Sequence, residues 1–81
     1  MVKIVKNLGR QVIVEQDNKF YLVSESRMGA TETMIFECNG AGVVESWNEV
    51  GGAQMSLETF LPILMEHGVH YKEWDDFPWK Q

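Results

Sequence analysis

QVIVEQDNKFYLVSE, residues 11–25, decides the fold. Two runs, QVIVEQ at 11–16 and FYLVSE at 20–25, alternate with a period of two and meet at Asp17-Asn18-Lys19. Short, β-branched, alternating runs broken by turn formers read as strands, and Asn18 enters a left-handed conformation at little cost. The stretch therefore predicts an antiparallel hairpin. Val12 and Val14 share one face of its first strand. In the second, Phe20 and Leu22 share a face, with Tyr21 and Val23 opposite. Both faces carry apolar side chains, so the sheet is expected to be covered on one side and partly covered on the other.

Upstream, VKIVK at 2–6 is a further strand, closed onto the hairpin by Asn7-Leu8-Gly9-Arg10. Downstream, SRMGAT at 26–31 reads as a looser connection built on Gly29. The stretch ETMIFECNGAGVVESWNEVGG, residues 32–52, then reads as a second hairpin. Met34, Phe36 and Cys38 are expected to face inward, with Thr33, Ile35 and Glu37 on the other face. Asn39-Gly40-Ala41-Gly42 closes the turn, because Asn-Gly tolerates positive φ. A return strand over 43–50 would set Trp47 on one face with Val43, Glu45 and Glu49, framing an aromatic side chain with two carboxylates. Two readings stay open for Trp47, presentation to a partner, or packing over the sheet edge or under the helix. Gly51-Gly52 reads as a sharp bend.

SLETFLPILMEHG is the one clear helix. Leu57, Phe60, Leu61, Leu64 and Met65 recur at helical spacing and Gly68 is a natural stop. Pro62 would cost a hydrogen bond in a helix capped by Ser56, so the spacing favours a short turn at 56–59 and a helix over 60–67 capped by Thr59. After Gly68, Val69 and Tyr71 alternate with His70 and Lys72 as a last strand. This runs into EWDDFPWKQ, where Trp74, Phe77 and Trp79 lie among Glu73, Asp75 and Asp76.

These elements predict a single α+β domain over residues 1–81, with 72–81 as an acidic aromatic tail. The expected architecture is an antiparallel sheet of about five strands with one helix packed on one face. Phe60, Leu61, Leu64 and Met65 would lie against Val12, Val14, Phe20, Leu22, Met34 and Phe36. Eighty-one residues leave no room for a second core, and the 44% hydrophobic content suffices for one. No apolar run approaches the roughly 20 residues that cross a bilayer, and MVKIVKN is not a signal peptide. With a single cysteine, an internal disulfide is excluded; a soluble cytoplasmic protein is expected, without membrane association.

The net charge of −5 is unevenly spread. Lys3, Lys6, Arg10, Lys19 and Arg27 outnumber Glu15, Asp17 and Glu25, making residues 1–27 net +2. Residues 28–81 hold Lys72 and Lys80 against nine carboxylates, net −7. Such an acidic remainder repels phosphate backbones, so direct nucleic-acid binding is not expected and a basic protein surface is the better partner.

No catalytic or metal motif stands out. His67 and His70, with Glu66 or Cys38, lack the spacing of a closed zinc set. Cys38 reads as a small buried hydrophobe rather than a nucleophile. Gly40-Ala41-Gly42 joins strands instead of opening a helix, so it is not a phosphate loop. Asp75 and Asp76 are adjacent residues of a tail, unsuited to paired acid and base work. No enzymatic activity, cofactor or metal is expected.

ETMIF, followed by Asn-Gly and VVESWNEV, resembles a hairpin of short uncharacterised proteins encoded by bacteriophages and prophages, over residues 32–50. Glu37 stands where that pattern has a proline, and Gly51-Gly52 where its strand continues. The resemblance implies a phage origin, where small acidic domains often bind and block host proteins. The expected function is thus non-enzymatic binding to a basic surface of a partner protein, as a phage inhibitor of host defence or nucleic-acid machinery, anti-CRISPR-like or a nucleic-acid mimic. Glu45, Glu49, Glu73, Asp75 and Asp76 supply the charge, and Trp47 and Trp79 the anchors. The alternative is a structural or assembly subunit, a homo-oligomer formed through strand edges or the aromatic tail.

Overall fold

The hairpin at 11–25 forms around Asp17 and Asn18, with φ of 54° and 65°. The computed structural model describes residues 1–28 and 30–73. In chain order it contains β1 (Lys3–Asn7), β2 (Gln11–Gln16), β3 (Lys19–Met28), β4 (Ala30–Cys38), β5 (Glu49–Ala53) and α1 (Leu57–His67). The five strands make one antiparallel sheet in the order β1-β2-β3-β4-β5, with α1 contacting β3 and β4. The architecture is α+β.

The two positive φ angles are those of the tight turn whose twist suits a two-residue hairpin. That turn fixes register, pairing Val14 with Tyr21 and Val12 with Val23. Directly opposed residues lie on the same face, so Tyr21 and Val23 join Val12 and Val14. Ile35, opposite Val23, continues the row. These five residues, with Leu57, Phe60 and Leu64, belong to one buried cluster. Here the sequence expectation is corrected. Phe20, Leu22, Met34 and Phe36 occupy the face away from the helix, while Thr33 and Ile35, expected to point outward, are completely buried. Met65 is also not a core residue, being 41% exposed.

Residues 26–31 are not a loose connection, since pairing of β3 with β4 continues to Met28 and Ala30. Nor do residues 43–50 form one strand. Strand β5 begins at Glu49, and the chain from 39 to 48 is a loop.

Helix α1 starts earlier than expected. Ser56 is its N-cap, and its Oγ accepts a hydrogen bond from the Thr59 N–H at 3.2 Å. Leu57 is thereby buried in the first turn, and Pro62 lies within the helix. Proline has no N–H, so the Glu58 carbonyl lacks its usual donor four residues on. Pro62 is exposed, which leaves that carbonyl on the solvent side of the helix. Gly68 ends the helix as expected, with φ of 95° and its N–H donating to the Leu64 carbonyl at 2.8 Å.

Gly51 and Gly52 are strand residues rather than a bend. The Gly52 N–H donates to the Tyr71 carbonyl at 2.8 Å, and the Glu73 N–H donates to the Gly52 carbonyl at 3.1 Å. The last strand expected from the sequence is thus one parallel bridge, Gly52 to Lys72, along the outer side of β5. A Cβ on Gly51 would strike the Val69 carbonyl oxygen; one on Gly52, where φ is 147°, would strike that of Thr33. Only glycine lets three backbone segments approach this closely.

Candidate interaction surface

The second face of the sheet presents Ile13, Leu22 and Phe36 in a row across β2, β3 and β4. All three are at least 94% buried, although the helix lies on the other face. The loop 39–48 lies against this face. A Cβ at Gly40 would sit 3.6 Å from the ring of Phe20, and one at Gly42 would sit 2.7 Å from Ile13 Cδ1. Trp47 meets Phe36 edge to face, with ring centroids 4.9 Å apart. The loop's small residues press against the sheet, and its indole lies over the last aromatic ring.

Asn39 shapes the loop. Its Oδ1 accepts from the N–H groups of Ala41 and Val43 at 2.9 and 3.0 Å. Its own N–H donates to the Val43 carbonyl at 3.1 Å, and its carbonyl accepts from the Gly42 N–H at 2.9 Å. The expected left-handed Asn-Gly pair is replaced by this side-chain capped turn, in which Gly42 carries the positive φ of 84°. Asparagine commonly holds such turns through its own side chain.

Packing on Phe36 does not bury Trp47, which remains 64% exposed, and Val43 is 56% exposed. Trp47 thus packs over the sheet and not under the helix, with most of its indole open to solvent. Glu45 is exposed in the same loop, while Glu49 is half-buried in β5 opposite Phe36. A bulge leaves Val50 as the extra residue between the pairs Phe36–Glu49 and Ile35–Gly51. Irregularities of this kind re-aim a strand's side chains. Trp47 and Glu49 thus stay near Phe36, with Glu45 in the adjoining loop, and the three do not form one regular strand face. Beside them is a groove of 360 Å³ lined by Glu37, Glu45, Cys38, Asn39, Ser46 and Asn48, among others.

The remaining candidates are elsewhere. Glu73 is exposed, and its Oε1 accepts from the Gln54 N–H at 2.9 Å. Asp75, Asp76 and Trp79, like Trp74 and Phe77, lie outside the described residues. Cys38 is a free, half-buried thiol whose pKa is raised by burial and then by the neighbouring Glu37 carboxylate. His67 stacks on Tyr71 with centroids 5.2 Å apart, and His70 meets Tyr21 edge-on at 6.1 Å. Among the described residues, no three His, Cys, Asp or Glu side chains gather in a metal-binding group. None of their helices is long and apolar enough to cross a membrane.

Sequence reasoning missed the contribution of Glu37 to the groove. Glu37 and Cys38 lie on opposite faces of β4, as their alternation predicts, and both border the groove at the end of the strand. The glycine spacing of Gly40 and Gly42 was the available signal, since small residues at alternate positions allow a loop to lie close against a sheet. Comparisons with protein-family models, with characterised proteins and with solved structures find no match.

Proposed function

We propose that this chain is a non-enzymatic protein-interaction domain that uses loop 39–48 to bind a basic surface of a partner protein. The observation that carries the reading is the position of Trp47. Its ring is fixed on Phe36 yet 64% exposed, beside exposed Glu45 and a groove containing Glu37. An aromatic side chain immobilised before binding loses little entropy on contact and supplies a large apolar area. Its face also attracts a lysine or arginine, for which the nearby carboxylates supply charge complementarity. In its sharpest form the domain is a phage-encoded inhibitor that occupies a basic host site otherwise open to nucleic acid. The net charge of −5 and the resemblance of residues 32–50 to phage proteins support that version.

The test is capture from bacterial lysate on the immobilised full chain, compared with Trp47→Ala and Glu45→Gln and repeated at raised salt. The expected result is one basic protein retained by the native chain, lost with Trp47→Ala, weakened with Glu45→Gln and released by salt. Capture that ignores both substitutions would overturn the assignment to this loop.

A further inference from the structure

We infer that strand β1 is a docking edge for the acidic aromatic segment 74–79 of a second copy of this chain. Among the described residues, the sheet has one covered edge and one open edge. Residues 71–73 run along β5 through the Gly52–Lys72 bridge, whereas β1 pairs only with β2. Every residue of β1 is exposed, and Ile4 and Val5 are each 44% exposed. Leu8, in the following turn, is 47% exposed.

The edge is built to refuse its own kind. It is five residues long, carries Lys3 and Lys6, and is interrupted at Val5, where its register with β2 shifts. Short length, lysines and a bulge are the usual devices against edge-to-edge pairing. Two β1 strands side by side would set lysines against lysines. An acidic strand meets the opposite situation. Lys3, Lys6 and Arg10 carry three positive charges in the first ten residues, with no carboxylate among them. The stretch Trp74-Asp75-Asp76-Phe77-Pro78-Trp79 offers two carboxylates and three aromatic rings. Its acids suit the basic side chains, and its rings suit Ile4, Val5 and Leu8. Pro78 lacks an N–H and is tolerated where a strand is added at an edge.

Distance selects a second copy. Neighbouring strands lie about 4.8 Å apart, so β1 is roughly 24 Å from the segment beyond β5, four strand spacings plus one. Asp75 and Asp76 follow Glu73 by two and three residues, and a fully extended chain covers about 3.3–3.6 Å per residue. They can travel about 10 Å from Glu73, less than half of what reaching their own β1 requires. An edge at β1 and a segment that leaves the far edge of the sheet after Glu73 give a head-to-tail contact, which propagates from copy to copy.

The experiment is sedimentation equilibrium of the full chain over a range of concentrations, at low and raised salt, with Lys3→Glu/Lys6→Glu, Asp75→Lys/Asp76→Lys and their combination. The expected result is a native mass that rises above one chain with concentration and falls back with salt. Either charge-reversed pair should remain a single chain, and the combination, which restores opposite charges, should associate again. Trp47→Ala should associate like the native chain, since loop 39–48 takes no part; partner capture and self-association can therefore fail separately. A native mass of one chain up to the solubility limit would overturn the inference. So would association that survives Asp75→Lys/Asp76→Lys or is lost with Trp47→Ala.

Discussion

Trp47 meets Phe36 with ring centroids 4.9 Å apart and planes inclined at 70°. This edge-to-face contact joins the sheet's second face to the proposed partner surface. Aromatic pairs in this geometry contribute about 0.5–1.5 kcal/mol beyond the area they bury. Trp47→Ala is therefore expected to lower unfolding stability by about 1 kcal/mol, measured by urea denaturation, while abolishing partner capture. Trp47→Phe should recover most of the stability. A stability loss several times larger would mean that the indole is chiefly a core residue.

Gly42 tests whether the loop is held against the sheet. Alanine there must adopt a φ of 84° and place its Cβ against the end of Ile13. The expected loss is about 1–2 kcal/mol. Gly9 also has a positive φ, of 92°, but a Cβ there meets nothing within 4 Å. Gly9→Ala should cost about 1 kcal/mol from backbone strain alone. Equal losses from the two substitutions, in parallel denaturant titrations, would argue against close contact between loop and sheet.

Gly52→Ala should be severely damaging, because its Cβ would meet the backbone of Thr33 and its φ is 147°. A domain of 81 residues has a stability of roughly 4–12 kcal/mol, and a backbone clash of this type costs about 3 kcal/mol or more. Circular dichroism should show a melting temperature lowered by more than ten degrees, on the order expected for a domain of this size, or no cooperative transition. A near-native melting curve would contradict the close approach of β4 and β5.

Pro62→Ala should act in the opposite direction. Pro62 is exposed inside α1, where proline costs about 3 kcal/mol relative to alanine. Proline offsets part of this by restricting the unfolded chain, by about 0.4–1 kcal/mol. The expected net gain is about 2–2.5 kcal/mol, read from the denaturation midpoint.

Tyr21 gives a pH dependence. Burial first, then the carboxylates of Glu37 and Asp17, raise its pKa above the ordinary value of 10.0. The folded chain thus holds the phenol proton at a pH where the unfolded chain has released it. Stability from this group is complete below about pH 10 and is lost as pH rises through the folded value. Tyr21→Phe should flatten the fall in stability above about pH 10; an unchanged slope would exclude Tyr21 as its source.

The α+β class and the first four strands are legible in the alternation of residues 2–25 and 32–38 and in the helical spacing from Leu57 to Leu64, whereas β5 was hidden because Gly51-Gly52 reads as a bend. The helix-facing row was also determined locally, since a two-residue turn at Asp17-Asn18 forces Val14 opposite Tyr21. It was missed because apolar side chains occupy both faces, and alternation alone does not select between them. The helix start was obscured by Pro62, whose cost is outweighed when Ser56 caps the helix and Leu57 is buried. For the candidate surface, Trp47 and Glu45 stood out by type, but the Asn39 turn and the bulge at Val50 depend on contacts between the loop and β2, β3 and β4. No periodicity in the loop could convey them.

The Gly52–Lys72 bridge also bears on how the molecule assembles in time. Every strand of the sheet pairs with its neighbour in sequence at separations of up to twenty positions; the bridge spans the same twenty, but with helix α1 lying between its two partners. A pairing whose loop contains a helix closes only after that helix has formed and packed on the sheet. The meander is expected to form before the crossing at Gly52 closes. Weakening that crossing should therefore leave the refolding rate nearly unchanged and appear almost wholly as faster unfolding. The glycine pair would then set the lifetime of the folded state rather than the speed of reaching it.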